Sequence, residues 1–167
     1  MSAFISLLHT VTAAVAVPLG AFVLFGKKGS ILHKKLGRYY FISMLLANTS
    51  SLFIYKAFGE WFFPHSLAVL TLLFLFLGYG VLIRKPFRYR LSLHLTGMTV
   101  SYYLLIGGGI NEAFLHIPML KPYLTSGPVL GITHFIALLF FGIFIFYFYK
   151  NIALLGKINY IKNCTFK

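Results

Sequence analysis

Five apolar runs, separated by short basic or aromatic segments, organise the chain: Ala3–Phe25, Leu36–Tyr55, Pro64–Ile83, Leu91–Ile110 and Pro128–Tyr149. Crossing a bilayer takes roughly 20 apolar residues as helix. Backbone hydrogen bonds must be satisfied internally in lipid, so only helices or a closed barrel fit. Barrel strands are about ten residues long and alternate in character, whereas these runs are continuous. The pattern predicts an all-α, polytopic membrane helix bundle of five spans. It forms one integral membrane domain over residues 1–167, with 150–167 as a cytoplasmic tail. Pro64 and Pro128 suit the first turn of a helix, where the missing N–H has no partner to lose. Ile152, Leu155, Ile158 and Ile161 lie about a turn apart and make the tail an interfacial amphipathic helix.

The small and polar residues within the runs fall in stripes. His9, Ala13, Ala16 and Gly20 share one face of the first span. Tyr40, Ser43, Ala47, Asn48, Ser51 and Tyr55 run along the second. The fourth has His94, Gly97, Ser101, Gly108 and Glu112, and the fifth Gly131, His134, Leu138 and Gly142. Membrane helices associate through such residues, so each stripe is expected to face the bundle. Packing alone accounts for Asn48, Ser51 and the glycines. Gly107, Gly108 and Gly109 mark either the end of the fourth helix or a break that faces a ligand.

Charge then orients the bundle. The chain of 167 residues carries 15 Lys+Arg against 2 Asp+Glu, a formal net charge of +13. Thirteen basic residues fall between spans one and two, between three and four, and after five; only Lys56 and Lys121 fall on the other side. That asymmetry places the N-terminus outside and the C-terminus inside. It also makes the charge a topology signal and not a nucleic-acid footprint. Met1–His9 contains no Lys or Arg, unlike a signal peptide. Trp61, Phe62, Phe63 and Tyr123 suit the outer interface, and Tyr39, Tyr40, Tyr89 and Tyr149 the inner one.

Candidate chemistry is narrow. Glu60 and Glu112 are the two acids and Cys164 the one cysteine. This excludes most enzymes built on paired carboxylates, an internal disulfide and a cysteine zinc cluster. No phosphate loop and no His-Glu-x-x-His segment occurs, no serine has an acid nearby, and five spans give no even inverted repeat. Six histidines remain, and ionisable residues inside a membrane point to function by default. His9, His65 and His134, with His116 in a loop, form an outer group. His33 and His94 form an inner pair.

Two imidazoles at one depth suit haem b, with Arg38, Lys34, Lys35 and Arg90 near the propionates and Gly37 and Gly97 giving a porphyrin access to backbone. Such a protein passes electrons between a quinone and another carrier, with His9 and His134 serving a second haem. Alternatively, His9, His65 and His134 hold zinc and Glu112 ligates it or acts as base, as in a membrane-embedded hydrolase. A third reading has no cofactor and makes the chain an accessory subunit of a larger membrane complex. No catalytic residue is assigned.

The segment His33-Lys34-Lys35-Leu36-Gly37-Arg38-Tyr39-Tyr40 resembles the bacterial predicted membrane proteins grouped as domain of unknown function 2306. His9, His94 with Met98, and the run Gly97-Met98-Thr99-Val100-Ser101-Tyr102 extend the resemblance over roughly residues 5 to 115. Many relatives carry Trp-Met after the later histidine and an Arg deeper in that span. Here Gly97 precedes Met98, and residues 101–111 hold no Arg. The resemblance implies a multi-span membrane protein in which His9, His33, Arg38, Tyr40 and His94 belong to the recurrent pattern, and it assigns no activity. It favours an inner His33–His94 site, with His9 part of an outer one.

Overall fold

The computed structural model describes residues 3–54, 63–82, 90–124 and 128–165, with residues 63, 124, 128, 130, 148 and 151–165 as backbone alone. Tyr55, Lys56, Glu60, Trp61, Phe62, Arg84, Lys85, Arg88 and Tyr89 lie outside the described residues. Within them all regular structure is helical: α1 (Ala3–Phe25), α2 (Ile31–Ser51), α3 (Phe63–Gly80), α4 (Arg90–His116), the short α5 (Lys121–Leu124) and α6 (Pro128–Thr165). Among the described residues one helix, Ala3–Phe25, is both long and apolar enough to cross a membrane; Pro64–Gly80 and Gly131–Tyr147 are shorter apolar helices.

Local chemistry moves several boundaries away from the apolar runs. α2 starts five residues before Leu36, because Ser30 caps it by accepting a hydrogen bond from the His33 backbone N–H at 3.1 Å. Gly29 turns the chain there with a positive φ of 74°, a conformation cheap only for glycine. Replacing Ser30 with alanine is expected to cost about 1 kcal/mol, read as a lower unfolding midpoint in detergent. A Ser30→Asp variant, which keeps the cap, should recover it.

α2 ends at Ser51, short of Tyr55. Ser50 donates to the Leu46 carbonyl at 2.7 Å and Ser51 to that of Asn48 at 2.7 Å, side-chain bonds that compete with the helical ladder. α4 runs through all three glycines to His116, so Gly107–Gly109 neither end nor break it. It stops where Ile117 precedes Pro118, a position that disfavours helix. α6 continues without interruption from the fifth apolar run to Thr165.

α1 packs chiefly on α2 and α3 on α4; α2 joins the two hairpins, and α6 lies along α4. The core is Ala16, Leu24, Tyr40, Met44, Leu75, Met98, Tyr102 and Phe141. Three of the four stripes bring residues inward. Ala16 and Gly20 on α1, Tyr40 and Ala47 on α2, and Gly97 and Ser101 on α4 are buried. The α6 stripe is a correction: Gly131, Leu138 and Gly142 are exposed, and α6 turns Phe141 inward instead, against the rings of Tyr102 and Tyr103. Of the three consecutive glycines of α4 the buried one is Gly107, not Gly108, and Glu112 is exposed.

Tyr40, expected at the interface, is 1% exposed and sits in the middle of the bundle. Ser101 gives its one proton to the Met98 carbonyl at 2.9 Å, so the Tyr40 hydroxyl donates to Ser101 Oγ across 3.1 Å. Tyr102 donates to the Val17 carbonyl at 3.0 Å, next to Pro18 within α1. Gly20 makes room for both rings, since a Cβ there would lie 2.4 Å from the Tyr102 ring and 2.8 Å from the Tyr40 ring. Tyr40→Phe is expected to destabilise by about 1 kcal/mol, while Tyr39→Phe on the exposed side of α2 stays within error. Equal midpoints for the two variants would remove the Tyr40–Ser101 bond from the account.

Candidate inner histidine site

The ends of four helices meet at one level: the C-termini of α1 and α3 and the N-termini of α2 and α4. The cap at Ser30 places His33 on the first turn of α2, and His94 sits in the first turn and a half of α4. His94 Nδ1 and the carbonyl of Gly78 on α3 are 2.8 Å apart. A carbonyl only accepts, so Nδ1 carries the proton and the neutral ring keeps its lone pair on Nε2. A backbone carbonyl that fixes the tautomer in this way is the usual second-shell support of a ligating imidazole.

The His33 ring feels the charge of His94 and of Lys28, which puts all three in one neighbourhood. His33 Nδ1 is buried without a hydrogen-bond partner among the described residues. Burial, then Lys28, then His94 push the His33 pKa below its ordinary value, with the Val23 carbonyl pulling the other way. The ring is therefore neutral at pH 7 and keeps a lone pair. Lys28 donates to the carbonyl of Val23 at 2.9 Å and to that of Leu24, capping the open end of α1. Its ammonium also lies 6.0 Å from the centre of the Phe144 ring of α6, and burial lowers its pKa to about 8. Arg90 faces His94 as well. Among the described residues the remaining acid, Glu112, is near the opposite end of α4.

The structure thus brings His33 and His94 together. Lys28, counted in the sequence only as one loop cation, acts electrostatically on both. Arg38, Lys34 and Lys35 are exposed on α2. The glycine expectation divides. Nothing lies within 4 Å of a Cβ placed at Gly37, one turn beyond His33. A Cβ at Gly97 would lie 2.6 Å from the Gly78 Cα and N and 2.7 Å from the Phe74 carbonyl oxygen. The space at Gly97 is taken by the α3 backbone and gives no porphyrin access.

The outer histidines stay apart from one another. His9 Nδ1 pairs with the Ala47 carbonyl of α2 at 2.9 Å. His134 Nε2 pairs with Asn111 Oδ1 of α4 at 3.1 Å, its ring against Gly107. His65 is buried near the start of α3. Glu112 pairs with His116 one turn on at 3.1 Å, both exposed. Among the described residues no three His, Cys, Asp or Glu side chains gather as a metal-holding group. His9, His65, His134 and Glu112 are therefore not gathered, among the described residues, into the set that the zinc reading needs.

Tyr149 fastens α6 beside this site. Its hydroxyl donates to the Ser92 carbonyl at 3.2 Å and lies 2.6 Å from Thr96 Oγ1, so the residues on either side of His94 hold the fifth apolar helix. The sequence signal for this was a tyrosine at the end of an apolar run, which an interfacial anchor shares.

The family model "Predicted membrane protein (DUF2306)" matches residues 6–148. The chain belongs to this family. Neither the curated proteins nor the solved structures contain a match. The matched segment spans α1 to α4 and most of the apolar part of α6, so it includes every residue of the His33–His94–Lys28 cluster. As a member of a membrane family the protein sits in a lipid bilayer, which accounts for the many large apolar side chains exposed on α1 and α6.

Proposed function

We propose that the protein crosses the cytoplasmic membrane of a bacterium five times, N-terminus outside and C-terminus inside, and holds haem b at the His33–His94 site for electron transfer. The topology rests on the thirteen-to-two division of basic residues and on α1, α2, α3, α4 and α6 lying on the five apolar runs. Cys164, the single cysteine, reports it directly. An impermeant maleimide should leave Cys164 unlabelled in intact cells and label it after permeabilisation. Labelling of intact cells would place the C-terminus outside.

The cofactor reading is carried by one observation: two imidazoles from different helices lie in one electrostatic neighbourhood with Lys28, one anchored by Gly78 and the other with a buried Nδ1 that has no hydrogen-bond partner among the described residues. That donor set suits an iron bound by two imidazoles. His33 and His94 would ligate, Lys28 and Arg90 would offset the propionates, and Gly37 leaves open space one turn from His33. Bound there, haem b supplies one-electron transfer, with a quinone as the proposed partner. Protein purified in mild detergent should show a Soret band that shifts on reduction with dithionite. A preparation that folds in haem-supplied cells and shows no band ends this reading.

The runner-up is a subunit of a larger membrane complex. It is favoured by α6, whose Ile132, Phe135, Ile136, Ile143 and Phe146 are all more than half exposed.

A further inference from the structure

The outer surface of α1 carries a cleft that the histidine site does not use. Pro18, Ala21, Phe22, Phe25 and Gly26 line it as an open groove of about 460 Å³. α1 and α6 make no direct backbone packing. They are bridged by Phe25, whose ring lies 6.4 Å from that of Phe140 and 5.7 Å from that of Phe144. An aromatic bridge that spaces two helices leaves an opening beside it, and in a membrane protein that opening meets acyl chains. The lining is apolar, so nothing in it resists a hydrocarbon.

The cleft ends at Gly26, and the next residue is the exposed Lys27, with Lys28 following. The one described acid pairs with His116 at the other end of α4, so no described carboxylate lies beside Lys27. An apolar cleft with a cation at its end matches a phosphate joined to a hydrocarbon chain. We propose that it holds one anionic phospholipid, an acyl chain along Pro18, Ala21 and Phe22 and the headgroup phosphate at Lys27. A cation close to the membrane surface prefers an anionic over a zwitterionic headgroup by about five-fold. The proposal rests on the family's membrane placement and not on the haem reading.

The test reconstitutes the full chain into vesicles of equimolar phosphatidylglycerol and phosphatidylcholine, extracts it gently and counts retained lipids by native mass spectrometry. The wild type should retain one phosphatidylglycerol, favoured about five-fold. Lys27→Glu should erase the preference without changing the thermal midpoint. Ala21→Phe, which fills the cleft, should lower retention of both lipids. Equal retention of the two lipids by the wild type overturns the proposal. So does retention unchanged by Ala21→Phe, displacement of the lipid by inorganic phosphate alone, or a dimer that Ala21→Phe dissociates. A missing Soret band leaves the lipid site standing, and equal lipid retention leaves the histidine site standing.

Discussion

Gly97→Ala is expected to lower the stability of the folded bundle by about 3 kcal/mol or more, at the top of the range for overpacking. The added carbon would meet backbone on every side: the Cα and N of Gly78 and the carbonyl of Phe74, all within 2.7 Å. Backbone has no rotamer to move into, so α3 and α4 must separate. Separation also withdraws the Gly78 carbonyl from His94 Nδ1. Alanine's helix propensity works the other way by only about 1 kcal/mol, which is too small to offset the clash. Gly108→Ala isolates that opposing effect, because nothing lies within 4 Å of a Cβ there. It should be neutral or stabilise by up to about 1 kcal/mol. Unfolding of both variants in detergent, followed by circular dichroism, decides the matter. Similar midpoints for the two would remove the close α3–α4 contact from the account.

His94→Ala is expected to remove the Soret band, and His33→Ala to do the same. Losing a second-shell partner of a metal ligand already costs about 10–100-fold in affinity, and losing the ligand itself costs more. His134→Ala should leave the band intact, since His134 is tied to Asn111 and Gly107. Lys28→Met should retain the band and raise the apparent midpoint for haem loss on dilution, because the side chain supplies charge and not ligation. Circular dichroism separates ligation from folding: both single-histidine variants should keep the helical signal of the wild type while losing the band. If His134→Ala and His94→Ala lose the band equally, the assignment of the inner pair fails.

Much of the bundle was legible in the sequence because hydrocarbon is an unforgiving solvent. A continuous apolar run must be helix there, and α1 occupies the run Ala3–Phe25 without a residue to spare. The inner histidines were read as a pair from their depth alone. Two imidazoles at the same level of two spans have few other places to go, and α2 and α4 bring them into one electrostatic neighbourhood. Lys28 was not legible. Its position depends on where α1 stops and on the free carbonyls of Val23 and Leu24, and a list of loop lysines contains neither. Tyr40 shows the same limit from the other side. The sequence placed it both at the inner interface and in a stripe facing the bundle, and the notch at Gly20 and the hydroxyl of Ser101 decide for the bundle.

The residues alone determined a helical membrane protein, the asymmetry of its basic loops and the histidines on which any chemistry must draw, since burial of apolar surface and charge exclusion from lipid depend on composition along one dimension. The tertiary structure decided which face of each helix is used. α6 presents Phe141 and not its small-residue stripe, Gly97 receives a helix and not a cofactor edge, and His9 and His134 bond to two separate neighbouring helices. Helical rotation is set by what the neighbouring helix offers at each level. A carbonyl such as that of Gly78, or the bare backbone beside it, carries no side chain through which the sequence could announce it.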